Sequence, residues 1–368
     1  MKKNRKKKKN SSARILAGLL VLACLAGGGY FYYTKYMKND VKPSQNNDSE
    51  EVEEVKPVKK VQIIDLDDNT RPYGVMINNV SAVWKYQSGL NDAYIVYELL
   101  VEGGITREFA LFKKFDVEKI QSIRSSRHYF LDYALENDAV YVHWGWSPQA
   151  QSDISTLKIN NINGLTYENV YFFRDKNVKA AYEHKGYITG ENVKKAIEKL
   201  KYRSTTESKP LLTYDVDPVD LASKEGAISA DYVGIKFSAS HTTKFYYDED
   251  KKVYLKSQNN TEMYDFTSKE RMTAKNIIIY NISYPNISGD NKGRVNASNI
   301  GSGTGYYISE GFAVPITWKK DSRSAKTVYK YSDGTDLIVN DGNTYIEIQP
   351  SNQKVVITGK ETSEEKTE

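Results

Sequence analysis

From Ile15 to Thr34 the chain runs for twenty residues, ILAGLLVLACLAGGGYFYYT, without a charge. At about 1.5 Å per residue such a stretch makes roughly 30 Å of helix, the thickness of a hydrocarbon core. Residues 1–14 hold eight basic groups and no acidic one, while only Lys35, Lys38 and Lys42 follow closely. This asymmetry places the N-terminus in the cytoplasm and the bulk of the chain outside, with Tyr30, Tyr32, Tyr33 and Tyr36 at the outer interface. A second reading is open. Val21-Leu22-Ala23-Cys24, behind a basic block, has the form of a bacterial lipobox, whose cleavage would leave Cys24 lipidated at a new N-terminus. Both readings attach the chain to a cell membrane with its mass on the outer side.

The net charge of +5 belongs to that end of the chain. Eight of the 52 basic residues precede the apolar segment, which leaves 44 against 47 acidic ones. The outer part therefore lacks the basic face that nucleic acid requires, and no nucleic-acid partner is expected. Cys24 is the one cysteine, so no disulfide or Cys-based metal site can form within the chain. An extracytoplasmic protein without disulfides fits a bacterial envelope. The four histidines (128, 143, 184, 241) show no paired spacing, so neither a zinc site nor another cofactor is expected.

Residues 35–70 are polar and charge-rich and read as a flexible linker; 351–368 read as a polar tail. Between them the pattern is α+β: an α/β domain over 71–205, then a mostly antiparallel β domain over 206–350, the whole preceded by a single membrane-anchoring helix. In the first domain, strand-like YGVMIN (73–78) precedes two apolar runs, 93–101 and 105–115, that flank Gly103-Gly104 as a hairpin. Ser125-Ser126 read as caps of a helix RHYFLDYALEN, the strand AVYVHW (139–144) follows, and Ser147-Pro148 open a second helix. A third spans 190–202, with apolar positions at 193, 196, 197 and 200. From about Pro210 short β-branched or aromatic stretches alternate with turns such as Asp333-Gly334 and Asp341-Gly342.

Arg124-Ser125-Ser126-Arg127, at the expected helix start, would seat an anion, because helix N-termini offer free N–H groups. In the alternative reading Arg124 and Arg127 pair internally with Glu98, Glu102 or Asp132, and Arg107 fits either arrangement. His143 ends a strand and is followed by Trp146 and Ser147, where open α/β sheets collect ligands. As a lone histidine it is a weak candidate for a general base beside its structural reading. Complete catalytic motifs are missing. Gly145-Trp146-Ser147-Pro148-Gln149 lacks the second glycine of a hydrolase elbow, and neither Ser-x-x-Lys match has its companion motifs. The 29 tyrosines suit glycan stacking, or express plain β propensity.

RPYGVMINN (71–79), QSGLNDAYIVYELLVEGGITREFALF (87–112), IRSSRHYFLDYALENDAVYVHWGWSPQA (123–150) and GSGTGYYISEGFAVPITWKK (301–320) resemble the YerB-like lipoproteins of Gram-positive bacteria. The resemblance implies an envelope location and an N- and a C-terminal domain of unknown function, and it brings no established catalytic residues. The expectation is a non-enzymatic, membrane-anchored envelope protein that binds an anionic cell-wall ligand or an envelope protein partner through Arg107, Arg124, Arg127, His143, Trp146 and Ser147. Its rival is a wall glycan or peptide hydrolase with His143 as base and Glu98, Glu102 or Asp132 as acids converging within about 10 Å. A third possibility is a spacer that presents the β domain.

Overall fold

Most of the apolar and β-branched runs become strands of two large sheets, and the described residues hold a two-stranded and a three-stranded sheet besides. The computed structural model describes residues 60–360, so residues 1–59, with the Ile15–Thr34 segment and Cys24, and residues 361–368 lie outside the described residues. Among the described residues no helix is long and apolar enough to cross a membrane.

Fifteen strands carry the architecture: β1 Tyr73–Asn79, β2 Ile95–Leu100, β3 Thr106–Phe112, β4 Val140–His143, β5 Asn161–Asn163, β6 Ile228–Ser229, β7 Tyr232–Lys236, β8 Thr242–Asp248, β9 Val253–Gln258, β10 Asn276–Ile282, β11 Gly301–Ser309, β12 Phe312–Lys320, β13 Val328–Tyr331, β14 Thr344–Pro350 and β15 Val355–Thr358. The larger sheet has the order β6-β12-β11-β10-β14-β2-β3-β1-β4-β5, with β13 beside β12. β7, β8, β9 and β15 belong to a second sheet. Helices α1 Phe130–Glu136, α2 Pro148–Thr156 and α3 Gly190–Lys199 each supply buried residues to the cores.

Period-two alternation sorts the large sheet's side chains between two cores. Val75, Ile77, Val96, Ala110 and Tyr345 share one with Val233, Phe245 and Tyr254 of the second sheet, and with Val193 and Ile197 of α3. Met76, Tyr97, Phe109, Ile278 and Ile346 share the other with Phe130, Leu131 and Ala134 of α1.

The expected division near residue 205 does not separate the sheets. β14, the last strand of the large sheet in chain order, pairs in parallel with β10 on one side and with β2 on the other. The segment after 205 is otherwise largely antiparallel, as in β10·β11 and β11·β12.

Two expectations need correcting. The linker does not reach residue 70: Gln62 and Ile63 donate backbone hydrogen bonds to the Asp341 carboxylate (2.7 and 3.0 Å), and Ile64 is buried. Nor are 351–368 a tail throughout, because Val355–Thr358 pairs antiparallel with β7 as an edge strand. In both places two or three apolar residues suffice because a preformed surface supplies the rest of the contact.

Gly305 of β11 shows how close this packing is. A Cβ there would lie 2.1 Å from the Ile279 carbonyl oxygen on β10, and backbone is the atom it meets. Gly305→Ala is expected to lower the unfolding free energy by about 1–3 kcal/mol, the usual range for overpacking. A urea midpoint equal to the native one would contradict this.

Candidate functional site

The structure brings together two stretches that the sequence reading singled out. Trp144 N donates to Arg124 O (3.0 Å), Ser126 N to Gly145 O (2.9 Å) and Ser147 N to Ser126 O (3.2 Å), so residues 124–127 run beside the end of β4. This use of the backbone changes the chemistry. α1 begins at Phe130, with Tyr129 at its N-cap and no side-chain cap bond. Ser125 and Ser126 therefore do not cap it, and the arginines do not stand at a helix N-terminus. Ser125 Oγ donates to Trp144 O (3.0 Å) instead, and Ser126 Oγ accepts from Tyr141 (2.8 Å).

Arg107 and Arg127 converge on one carboxylate. Arg107 Nη2 donates to Glu102 Oε1 (3.0 Å), while Arg127 donates through Nε to Oε2 (2.8 Å) and through Nη2 to Oε1. Burial would raise the Glu102 carboxyl, but the two guanidiniums hold it down at about 2. Burial, with Arg127's charge beside it, lowers Arg107 to about 9, and its Nε is buried without a partner. The group thus carries surplus positive charge. Arg124 extends it to the surface: half-buried, it donates through Nη1 to Glu183 O (3.3 Å). Arg174 lies alongside, its guanidinium 4.2 Å from the Trp144 ring centre and 3.8 Å from that of Tyr182, which is 65% exposed. Trp144 can sit there because Gly164 and Gly186 leave its faces clear; a Cβ at either would fall 2.4 or 2.6 Å from the indole.

The other proposed site residues are engaged elsewhere. His143 is fully buried, with Nδ1–H donating to Gly145 O (2.8 Å) and Nε2 against the Asn161 amide (3.0 Å); burial lowers its pKa. It fixes the turn and has no exposed atom with which to act as a base on a ligand. Ser147 is buried and caps α2 through Ala150 N (3.3 Å), leaving Trp146 part-exposed. The three carboxylates go to three separate basic groups. Glu102 binds Arg107 and Arg127, Asp132 binds Arg323 (2.6 Å), and Glu98 binds His241 (3.1 Å) with Lys256 at 3.8 Å. Of the internal pairs considered for Arg124 and Arg127, the structure has Arg127 with Glu102, joined by Arg107, while Arg124 meets a backbone carbonyl and Asp132 and Glu98 take other partners.

Glu98 also belongs to a cluster that sequence reasoning missed. Glu108, Glu98 and Glu347 are register neighbours across β3, β2 and β14, all wholly buried on the face toward the second sheet. Lys256 of β9 comes down on this row, its ammonium touching Glu108 Oε1 and lying 4.6 Å from the Tyr345 ring centre. Glu98 accepts from Asn79 Nδ2 (2.9 Å), Thr106 Oγ1 (2.6 Å) and Thr243 Oγ1 (3.0 Å). Burial would raise it, yet Lys256 and His241 bring it to about 2. Burial raises Glu108 against the pull of Lys256, and burial with Glu98's charge raises Glu347 well above the usual range. Neither Glu347 oxygen has a hydrogen-bond partner, nor does Gln87 Oε1 or Tyr345 Oη. Among the described residues no group of three or more His, Cys, Asp or Glu is arranged to hold a metal; here the Lys256 amine stands where a cation would. The signal was visible as a lone charge in each of the apolar strands IVYELL, VYLKSQ and TYIEIQP, and as an adjacent pair, Arg107-Glu108, in TREFALF.

Residues 61–203 match the family model described as the N-terminal domain of a protein of unknown function (DUF3048), and residues 233–346 match that of its C-terminal domain. YerB of Bacillus subtilis (strain 168), a protein described as a lipoprotein, is 30% identical over 282 residues, 76% of this chain and 81% of that protein. The chain belongs to the YerB family. The crystal structure of YerB from Bacillus subtilis is similar with a TM-score of 0.68 and 27% identity, covering 78% of this chain and 94% of that one. The shared fold is the mostly sheet body with few helices, and the family link supports a lipoprotein character.

Proposed function

We propose that the chain is an extracytoplasmic, membrane-attached envelope protein whose outer body binds an anionic cell-wall polymer. The observation that carries this reading is the unequal group of two arginines on one carboxylate, with Arg124 leading from it to a half-exposed surface beside Arg174 and Tyr182. Arginine recognises phosphate and carboxylate by paired donors, and a tyrosine face suits the sugar between charges. Attachment is through the 15–34 segment, either as a lipid on Cys24 after cleavage before it, or as an intact span with residues 1–14 inside. The description of YerB as a lipoprotein favours the lipid.

The test is co-sedimentation of the protein with purified Gram-positive cell walls, intact or stripped of their anionic polymers by hydrofluoric acid. Native protein is expected to pellet with intact walls and to be released by salt. Arg124→Glu, at a position open enough to keep the fold, is expected to weaken pelleting about tenfold, equivalent to about 1.4 kcal/mol. Equal pelleting of a folded Arg124→Glu variant, or equal pelleting with stripped walls, would refute the reading.

A further inference from the structure

We propose that Lys256 and Glu108 condense into an intramolecular isopeptide bond that ties β9 covalently to β3. Both side chains are fully buried, and the amine touches the carboxyl with no other hydrogen-bond partner among the described residues. The other oxygen of Glu108 accepts a hydrogen bond from Gln87 Nε2 (2.9 Å), a donor placed to stabilise negative charge building there during attack. Glu98 Oε2 lies 3.8 Å from the Lys256 nitrogen, within reach as a proton carrier. Dry surroundings prevent hydrolysis of the product and hold the partners in register, which supplies the effective concentration that the reaction needs.

The balance closes without a co-reactant. With Glu108 in its protonated form, Lys256 passes one ammonium proton to the Glu98 carboxylate, an uphill step because the surrounding carboxyl groups hold the ammonium charged, and becomes a free amine. Its nitrogen adds to the Glu108 carboxyl carbon, the C–N bond forms, and Glu98 relays a proton from nitrogen to the departing hydroxyl. The C–O bond breaks, water leaves, and an amide remains beside a protonated Glu98. The buried charges of Lys256 and Glu98, held at a heavy desolvation cost, thus give way to a neutral amide and a neutral acid. The raised Glu108 carboxyl suits this course because the protonated acid is the electrophile.

A second buried pair, Lys320 with Glu136, serves as an internal control. There the lysine also donates to Ala325 O, and the carboxylate accepts from Tyr97 Oη, Thr327 N and Thr327 Oγ1, with no further carboxyl in the group. It is expected to stay a salt bridge.

Tryptic mapping of the denatured full-length protein decides the matter and is unaffected by processing at the N-terminus. The bond predicts a branched species in which 253–269, uncut at Lys256, is joined to 108–113 with the loss of one water. It should be absent from Lys256→Arg and Glu98→Gln, while 320 and 136 appear only in linear peptides. Recovery of 108–113 and 253–256 from native protein as separate peptides in full yield would overturn the proposal. A branched species undiminished in Glu98→Gln would overturn the part given to Glu98.

Discussion

Replacing Lys320 with alanine is expected to lower the unfolding free energy by about 3–5 kcal/mol, the cost of leaving a buried charge without its partner. Lys320 lies on β12 and Glu136 on α1, both side chains fully buried, with Nζ 2.6 Å from Oε2. No water can reach the carboxylate to replace the ammonium, and the donors from Tyr97 and Thr327 carry no charge to oppose its own. Combining Lys320→Met with Glu136→Gln should recover most of the loss, since the stranded charge then disappears along with its partner. Urea denaturation of both variants checks this. A single variant within about 1 kcal/mol of native would show the pair to be energetically idle.

Glu102→Gln is expected to have a comparable effect, about 3–5 kcal/mol near neutrality, because two buried guanidiniums lose the carboxylate between them. Here pH provides a second measurement. The carboxyl is held at about 2 in the folded chain, against about 4.3 for glutamate in an unfolded one. A depressed carboxylate contributes stability that is fully present above the unfolded pKa and is lost as pH falls toward the folded one. The native protein and the glutamine variant should therefore differ most above about pH 4.5, and the gap should narrow steadily toward pH 2. Denaturation midpoints at neutrality and near pH 3 would reveal the trend. A gap that stays constant with pH would mean that packing, and not charge, holds the arginines.

Much of the secondary structure was legible because local pattern and final environment agree. YGVMIN, the Gly103-Gly104 hairpin and the Ser147-Pro148 helix start all appear where the residues placed them. Ser125-Ser126 failed as caps because the backbone there hydrogen-bonds to the end of β4, a long-range demand that local propensity cannot report. For the same reason β14 read as one more strand of a β segment, when its neighbours are β2 and β10. At the site, Arg107, Arg124, Arg127 and Glu102 were named, but which acid each arginine meets depends on sheet register. Lys256, Glu108 and Glu347 were passed over because one or two charges in an apolar strand look like edge residues facing water. Two sheets had to be stacked before those charges could be seen to meet.

The position of β14 also has a bearing on how such a chain matures. A polypeptide leaves the ribosome, and crosses a membrane, N-terminus first. Its large sheet cannot close until Thr344–Pro350 has arrived to lie between β2 and β10. Until then β2 and β10 each present an open edge, the kind of surface that pairs with the wrong chain. Products that stop before residue 344 should therefore aggregate or be degraded, so that only a chain delivered as far as Pro350 can close this sheet.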